Sequence, residues 1–102
     1  MNQPPLAFIT GSARRIGKDL AVELHEKGFN VAIHYNKSKS EAELIVDLLN
    51  KLRPNSAKCF KANLTVDDQL KEIHQQILDW QQNITVIIHN ASLFYDDQLA
   101  QN

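Results

Sequence analysis

The sequence has few of the residues that cross-link, break or redirect a chain. Cys59 is the only cysteine, which excludes an internal disulfide and a cysteine-based metal site and points to a reducing compartment. Proline and glycine occur three times each, as Pro4, Pro5 and Pro54 and as Gly11, Gly17 and Gly28. No apolar run approaches the length of a membrane span. The opening "MNQPPLAFIT" has neither a basic stretch nor the apolar core of a signal peptide. A formal net charge of -1 leaves no global field to draw nucleic acid or an acidic membrane surface. No internal repeat or low-complexity stretch occurs, and the histidines at 25, 34, 74 and 89 lack metal-ligand spacing, so no metal site is expected. From these absences the protein is expected to be cytoplasmic, with no nucleic-acid or membrane partner.

What remains is an ordinary globular composition, 43% hydrophobic and 23% charged, in a length that suits one small domain. Leu6 to Thr10 form a short apolar run after Pro4 and Pro5, consistent with a buried strand. Ile16, Leu20, Ala21 and Leu24 then recur at helical spacing until Gly28 supplies a stop. "NVAIHY", from Asn30 to Tyr35, reads as a second strand, and Ser40 with Glu43 matches a capping box. The helix that follows carries Ile45, Leu48, Leu49 and Leu52 and ends before Pro54. A weaker third strand spans Ala57 to Lys61. Thr65 is placed to cap a helix striped with Val66, Leu70, Ile73, Ile77 and Trp80. Ile84 to Asn90, "ITVIIHN", reads as a fourth, strongly apolar strand.

Strands alternating with helices predict an α/β fold, a Rossmann-like doubly wound parallel sheet in the order 3-2-1-4. Such a sheet leaves the fourth strand as an apolar edge, which folded proteins avoid. Residues 1–102 are therefore expected to be the N-terminal, cofactor-binding part of a single, larger domain. Ligands of open α/β sheets bind beyond the carboxyl ends of the strands, where strand order reverses. That rule predicts a crevice between Gly11–Gly17 and Asn90–Phe94. The loop from Gly11 to Gly17 leads into a helix N-terminus, where unpaired amides favour an anion. It reads TGxxxxxG, not GxGxxG. Acidic residues are missing at the end of the second strand, "HYNKSKS", until Glu41. An acid there would bond the ribose 2′-hydroxyl of NAD, whereas a base accommodates a 2′-phosphate. The missing acid together with the basic Lys37 therefore points to NADPH.

The loop resembles the TGxxxGxG loop of the short-chain dehydrogenase/reductase family, with Arg15 in place of the middle glycine. Within that family, "TGSARRIG" together with "HNASLFY" resembles the pteridine reductases, and the dihydromonapterin reductases look similar at both places. The resemblance covers nearly the whole chain. It implies an NADPH-dependent oxidoreductase that passes hydride to a dihydropterin or dihydrofolate-like substrate. Gly11, Arg14, Arg15, Ile16 and Gly17 would form the cofactor loop, with Tyr35, Asn36, Lys37 and Ser38 reading the 2′-phosphate. At the end of the third strand, Asn63 and Leu64 fall where the family holds the adenine; Asn63 serves equally as a turn residue. Asn90, Ala91 and Ser92 would line the nicotinamide side. Arg15 and Ser92 would touch the pterin, and Phe94 would stack on it or plug the sheet edge. The resemblance also allows a homo-oligomer for the full-length protein.

The family's catalytic tyrosine, with a lysine four residues later, has only one counterpart in spacing, Tyr35 and Lys39. That pair begins in a strand and ends in a loop, so its side chains need not share a face. No catalytic residue is assigned within the chain, and the chain alone is expected to be inactive. Asp96 and Asp97 depart from the proline-containing segment of pteridine reductases. A reductase of another carbonyl substrate, a non-catalytic nucleotide-binding fragment and a flavodoxin-like module remain as rival readings.

Overall fold

The computed structural model describes residues 4–11, 15–81 and 83–89. Along the chain run β1 (Leu6–Ile9), α1 (Arg15–Glu26), β2 (Asn30–Tyr35), α2 (Lys39–Leu52), β3 (Ala57–Lys61), α3 (Asp67–Trp80) and β4 (Val86–Ile88). All the pairings are parallel and the strand order is β3-β2-β1-β4, the order expected from the alternation of elements. No helix among the described residues is long and apolar enough to cross a membrane.

Side-chain alternation explains the layering. Ala7 and Ile9 of β1 pair in register with Val31 and Ile33 of β2, and all four face α1 and α2. There they meet Ala21, Ala42, Ile45 and Leu49. Leu6, Phe8, Ala32 and Phe60 point the other way, onto Ile73 and Ile77 of α3. Trp80 closes that side, its ring 6.0 Å from Phe60 and tilted by 52°. β1 is covered on both faces, which is why "LAFI" has no polar residue. Each fully buried Ile or Leu in these layers contributes about 1.5–3 kcal/mol by leaving water.

The stop of α1 follows its glycine. Phe29 N–H donates to Leu24 O and Gly28 N–H to His25 O, each at 3.0 Å, the paired bonds of a Schellman motif. Gly28 holds φ at 100°, a value that side-chain-bearing residues rarely adopt.

Several local expectations need correction. α2 begins at Lys39 with Ser38 at the N-cap, and no side chain caps it, so Ser40 and Glu43 form no capping box. The turn after β2 brings Ser38 O to Ala42 N–H at 3.0 Å, which places Ser40 inside the first helical turn. At the far end Arg53 is extended (φ -150°), as a residue before proline must be, and the helix stops. Thr65 does not cap α3; Val66 occupies the N-cap, and the Thr65 hydroxyl donates to Asn63 Oδ1 at 2.6 Å. The apolar face of α2 is also narrower than expected. Ala42, Ile45 and Leu49 are buried, whereas Leu48 and Leu52 are 55% and 69% exposed beside exposed Leu44. Leu48 and Leu52 lie on a row with Leu44, rotated away from the buried row. β4 is three residues long, shorter than Ile84 to Asn90, because it can pair only with the four-residue β1. Ile84 packs instead against the α3 layer, and His89 is exposed beyond the strand. Among the described residues β4 pairs with β1 alone and is an edge of the sheet, and its Ile87 is 44% exposed.

Candidate functional site at the carboxyl ends of the strands

Parallel strands deliver their carboxyl ends to one edge of the sheet, and the segments that follow β1, β2 and β3 meet there. Gly11, at φ 65°, turns the chain out of β1. Thr10 N–H donates to Ile88 O at 3.0 Å, so the start of this turn is fastened to the end of β4, the neighbour across the reversal of strand order. Arg15 begins α1, Ile16 is exposed and Gly17 is buried. The first turn of α1 holds no acidic residue, so no carboxylate competes for its unpaired amides.

After β2, Tyr35, Asn36 and Ser38 are half-buried and Lys37 is exposed. The first acid beyond them, Glu41, already belongs to α2. Tyr35 ends β2 while Lys39 opens α2, so that pair straddles two elements and shares no helical face. After β3, Ala62 N–H donates to Tyr35 O at 3.0 Å and continues the sheet edge. Asn63 Oδ1 accepts from the Thr65 amide at 3.0 Å as well as from its hydroxyl, and Asn63 N–H donates to Gln69 Oε1 at 2.7 Å. Asn63 is thus an Asx-turn residue that shapes the start of α3, with half-buried Leu64 beside it. Arg14, Asn90, Ala91, Ser92 and Phe94 lie outside the described residues.

One residue of this edge escaped the sequence reading. His34 is 1% exposed, and its Nδ1 accepts from Gly11 N–H at 2.8 Å. The opposite nitrogen, Nε2, lies 2.8 Å from Ala62 O. An Nδ1 that accepts leaves the proton on Nε2, which donates to Ala62, so the ring is neutral. Burial lowers the His34 pKa, against the opposing pull of the Ala62 carbonyl. The available signal is a polar residue directly after the apolar run Val31–Ile33 of β2; ligand spacing tests a histidine only as a metal ligand. Cys59 is half-buried on the α2 side, where burial and then Glu43 raise its pKa and keep the thiol protonated.

The donor set of this edge suits a phosphate-bearing nucleotide: a helix N-terminus free of acid, a glycine turn and an exposed lysine. Comparison with known proteins agrees. The short chain dehydrogenase family model matches residues 5–102. The chain is similar to the 3-oxoacyl-(acyl-carrier-protein) reductase FabG of Staphylococcus epidermidis, 32% identical over 95 residues. That match covers 93% of this chain and 38% of the relative, so the chain spans well under half the length of such relatives. It is 41% identical to pteridine reductase 1 of Leishmania tarentolae over 61 residues, 60% of this chain and 21% of that protein. The short-chain dehydrogenase/reductase homolog YusS of Bacillus subtilis is 30% identical over 88 residues, 86% of this chain and 80% of YusS. The parallel order of the strands, the turn at Gly11 and the match over nearly all of its length agree: the chain belongs to the short chain dehydrogenase family.

Proposed function

We propose that this chain is the cofactor-binding part of an NADPH-dependent short-chain reductase acting on a pteridine-type substrate. The observation that carries the cofactor choice is the segment after β2. It reaches the same sheet edge as Gly11 and presents Lys37 with no acid before Glu41. A 2′-phosphate gains a cation there, and NADH would gain nothing. Gly11 and Gly17 shape the loop, Arg14, Arg15 and Ile16 carry it into α1, and Tyr35, Asn36, Lys37 and Ser38 surround the 2′-phosphate. Leu64 and the Asn63 turn border the adenine, and Asn90 and Ala91 the nicotinamide ribose.

When bound, NADPH supplies a hydride. The residues of this chain bind and orient, and no tyrosine in it has a lysine four positions on within one helix. Support for a pteridine comes from Arg15 in the loop, from Ser92 and Phe94 in "HNASLFY", and from similarity to pteridine reductase 1. A 3-oxoacyl thioester is the second reading, favoured by the FabG-type relatives that match 93% of the chain.

Calorimetric titration with NADPH and NADH tests the cofactor. NADPH is expected to bind about tenfold or more tightly than NADH, a difference of about 1.4 kcal/mol. Equal affinities would overturn the assignment of Lys37 and Ser38. Turnover of a dihydropterin against a 3-oxoacyl thioester by the full-length protein then decides the substrate. Arg15→Gly is expected to impair pterin reduction and leave folding intact.

A further inference from the structure

The geometry points to His34 as a positioning residue: its imidazole, set between two strand ends, holds Gly11 in the turn that aims the phosphate loop. The inference rests on the nucleotide reading of that loop. The Gly11 amide points inward, onto Nδ1 of His34 at 2.8 Å, and so is not one of the amides offered to phosphate. Gly11 contributes the shape of the turn, φ 65°, and the amides left to meet an anion are those of the first turn of α1. On the other side Nε2–H donates to Ala62 O at 2.8 Å, at the end of β3. One ring therefore ties Gly11, two residues beyond β1, to Ala62, directly after β3, across β2, with 1% of its surface exposed.

Few side chains meet that demand. The position requires an acceptor toward Gly11 and a donor toward Ala62 on opposite sides of one buried group. Neutral imidazole supplies both, and the carboxamides of Asn and Gln do so with a different reach. Phenylalanine would fill the space and leave the Gly11 N–H and the Ala62 carbonyl without the ring. The expected consequence is a glycine turn that samples other conformations while the sheet beneath it stays paired.

The test uses the whole chain labelled with 15N, beside His34→Phe and His34→Gln. In the unsubstituted chain, nitrogen shifts should show Nδ1 unprotonated and coupled across the hydrogen bond to the Gly11 amide proton. A proton on Nδ1 would overturn the proposal, whether or not any variant folds. In His34→Phe the Gly11 amide should exchange with solvent about tenfold faster or more, while Phe8 in β1 keeps its protection. NADPH affinity should fall by about tenfold, and His34→Gln should restore most of it. A folded His34→Phe that keeps Gly11 protection and NADPH affinity within about twofold overturns the proposal. If the unsubstituted chain binds neither NADPH nor NADH, the cofactor reading fails instead, and the Gly11 amide alone decides the role of His34.

Discussion

The two ends of the sheet differ in what their side chains do. At the amino ends of the strands, polar side chains reach back to bond the backbone. Arg53 donates to Phe29 O at 2.6 Å, to His25 O at 3.2 Å and to Asn30 Oδ1 at 3.4 Å, fastening the α1–β2 turn to the end of α2. Asn50 Oδ1 accepts from the amides of Ser56 and Ala57 at 2.8 and 2.9 Å, and its amide donates to Ala57 O at 3.0 Å. His25 Nε2 meets the Ser56 hydroxyl at 2.7 Å, and that hydroxyl donates to Arg53 O. At the carboxyl ends, among the described residues, His34, Asn63, Gln69 and the Thr10 hydroxyl bond the backbone in this way, while Lys37 is exposed. One end uses its polar groups to close the fold. At the other, among the described residues, fewer such bonds hold the loops, and the proposed cofactor reading gives its cation and helix amides to the ligand.

The sharpest test of this contrast is at Arg53. Arg53→Ala should lower stability by about 2 kcal/mol, because carbonyls that accepted charged bonds lose them. NADPH affinity should stay within about twofold of the parent. Urea unfolding with a parallel titration checks both halves, and a large loss of affinity would break the division between the ends. Lys37→Glu is the reciprocal case. It should cost about 1.4 kcal/mol in NADPH binding, a tenfold loss, and move unfolding by less than about 0.5 kcal/mol. Equal NADPH binding before and after the change would remove Lys37 from the site.

Gly28→Ala at the closed end should cost about 1 kcal/mol. No atom lies within 4 Å of where the new Cβ would sit, so the cost comes from φ 100° alone. The denaturation midpoint measures it, and a neutral result would mean the turn relaxes.

The smallest effect spans both ends. Burial lowers the pKa of His25, with help from Arg53 and against Glu26, and burial lowers that of His34. The folded chain therefore binds fewer protons than the unfolded chain once pH drops below their ordinary value of 6.5. Their contribution to stability is full above that pH and declines as pH falls toward the lowered folded-state values. Unfolding midpoints between about pH 7.5 and pH 5 should follow this course, and His25→Gln should flatten it only in part. A midpoint that rises on acidification would contradict both assignments.

Much of the fold was legible in the residues. Strand alternation, the Gly28 stop and the arrest before Pro54 depend on local chemistry, and each took its expected form. The capping assignments did not. Ser40 and Thr65 have the right chemistry for a cap, but the turns leaving β2 and β3 set where α2 and α3 begin. Leu48 and Leu52 depart from the face expected to hold them with Ile45 and Leu49 for a related reason. Two apolar rows run along α2, and only contact with the sheet distinguishes the buried one. At the site, the glycine turn and the basic segment after β2 could be read from types and spacing. The job of His34 could not, since its partners lie 23 and 28 residues away.

The sequence by itself determined the order of elements, the doubly wound sheet and the sign of charge after β2, because periodicity and residue type act over a few residues. Tertiary structure decided which leucines meet water, which hydroxyls cap nothing and which histidine holds the loop. Those outcomes depend on groups that are distant in the chain and become neighbours only when parallel strands bring their ends to one edge.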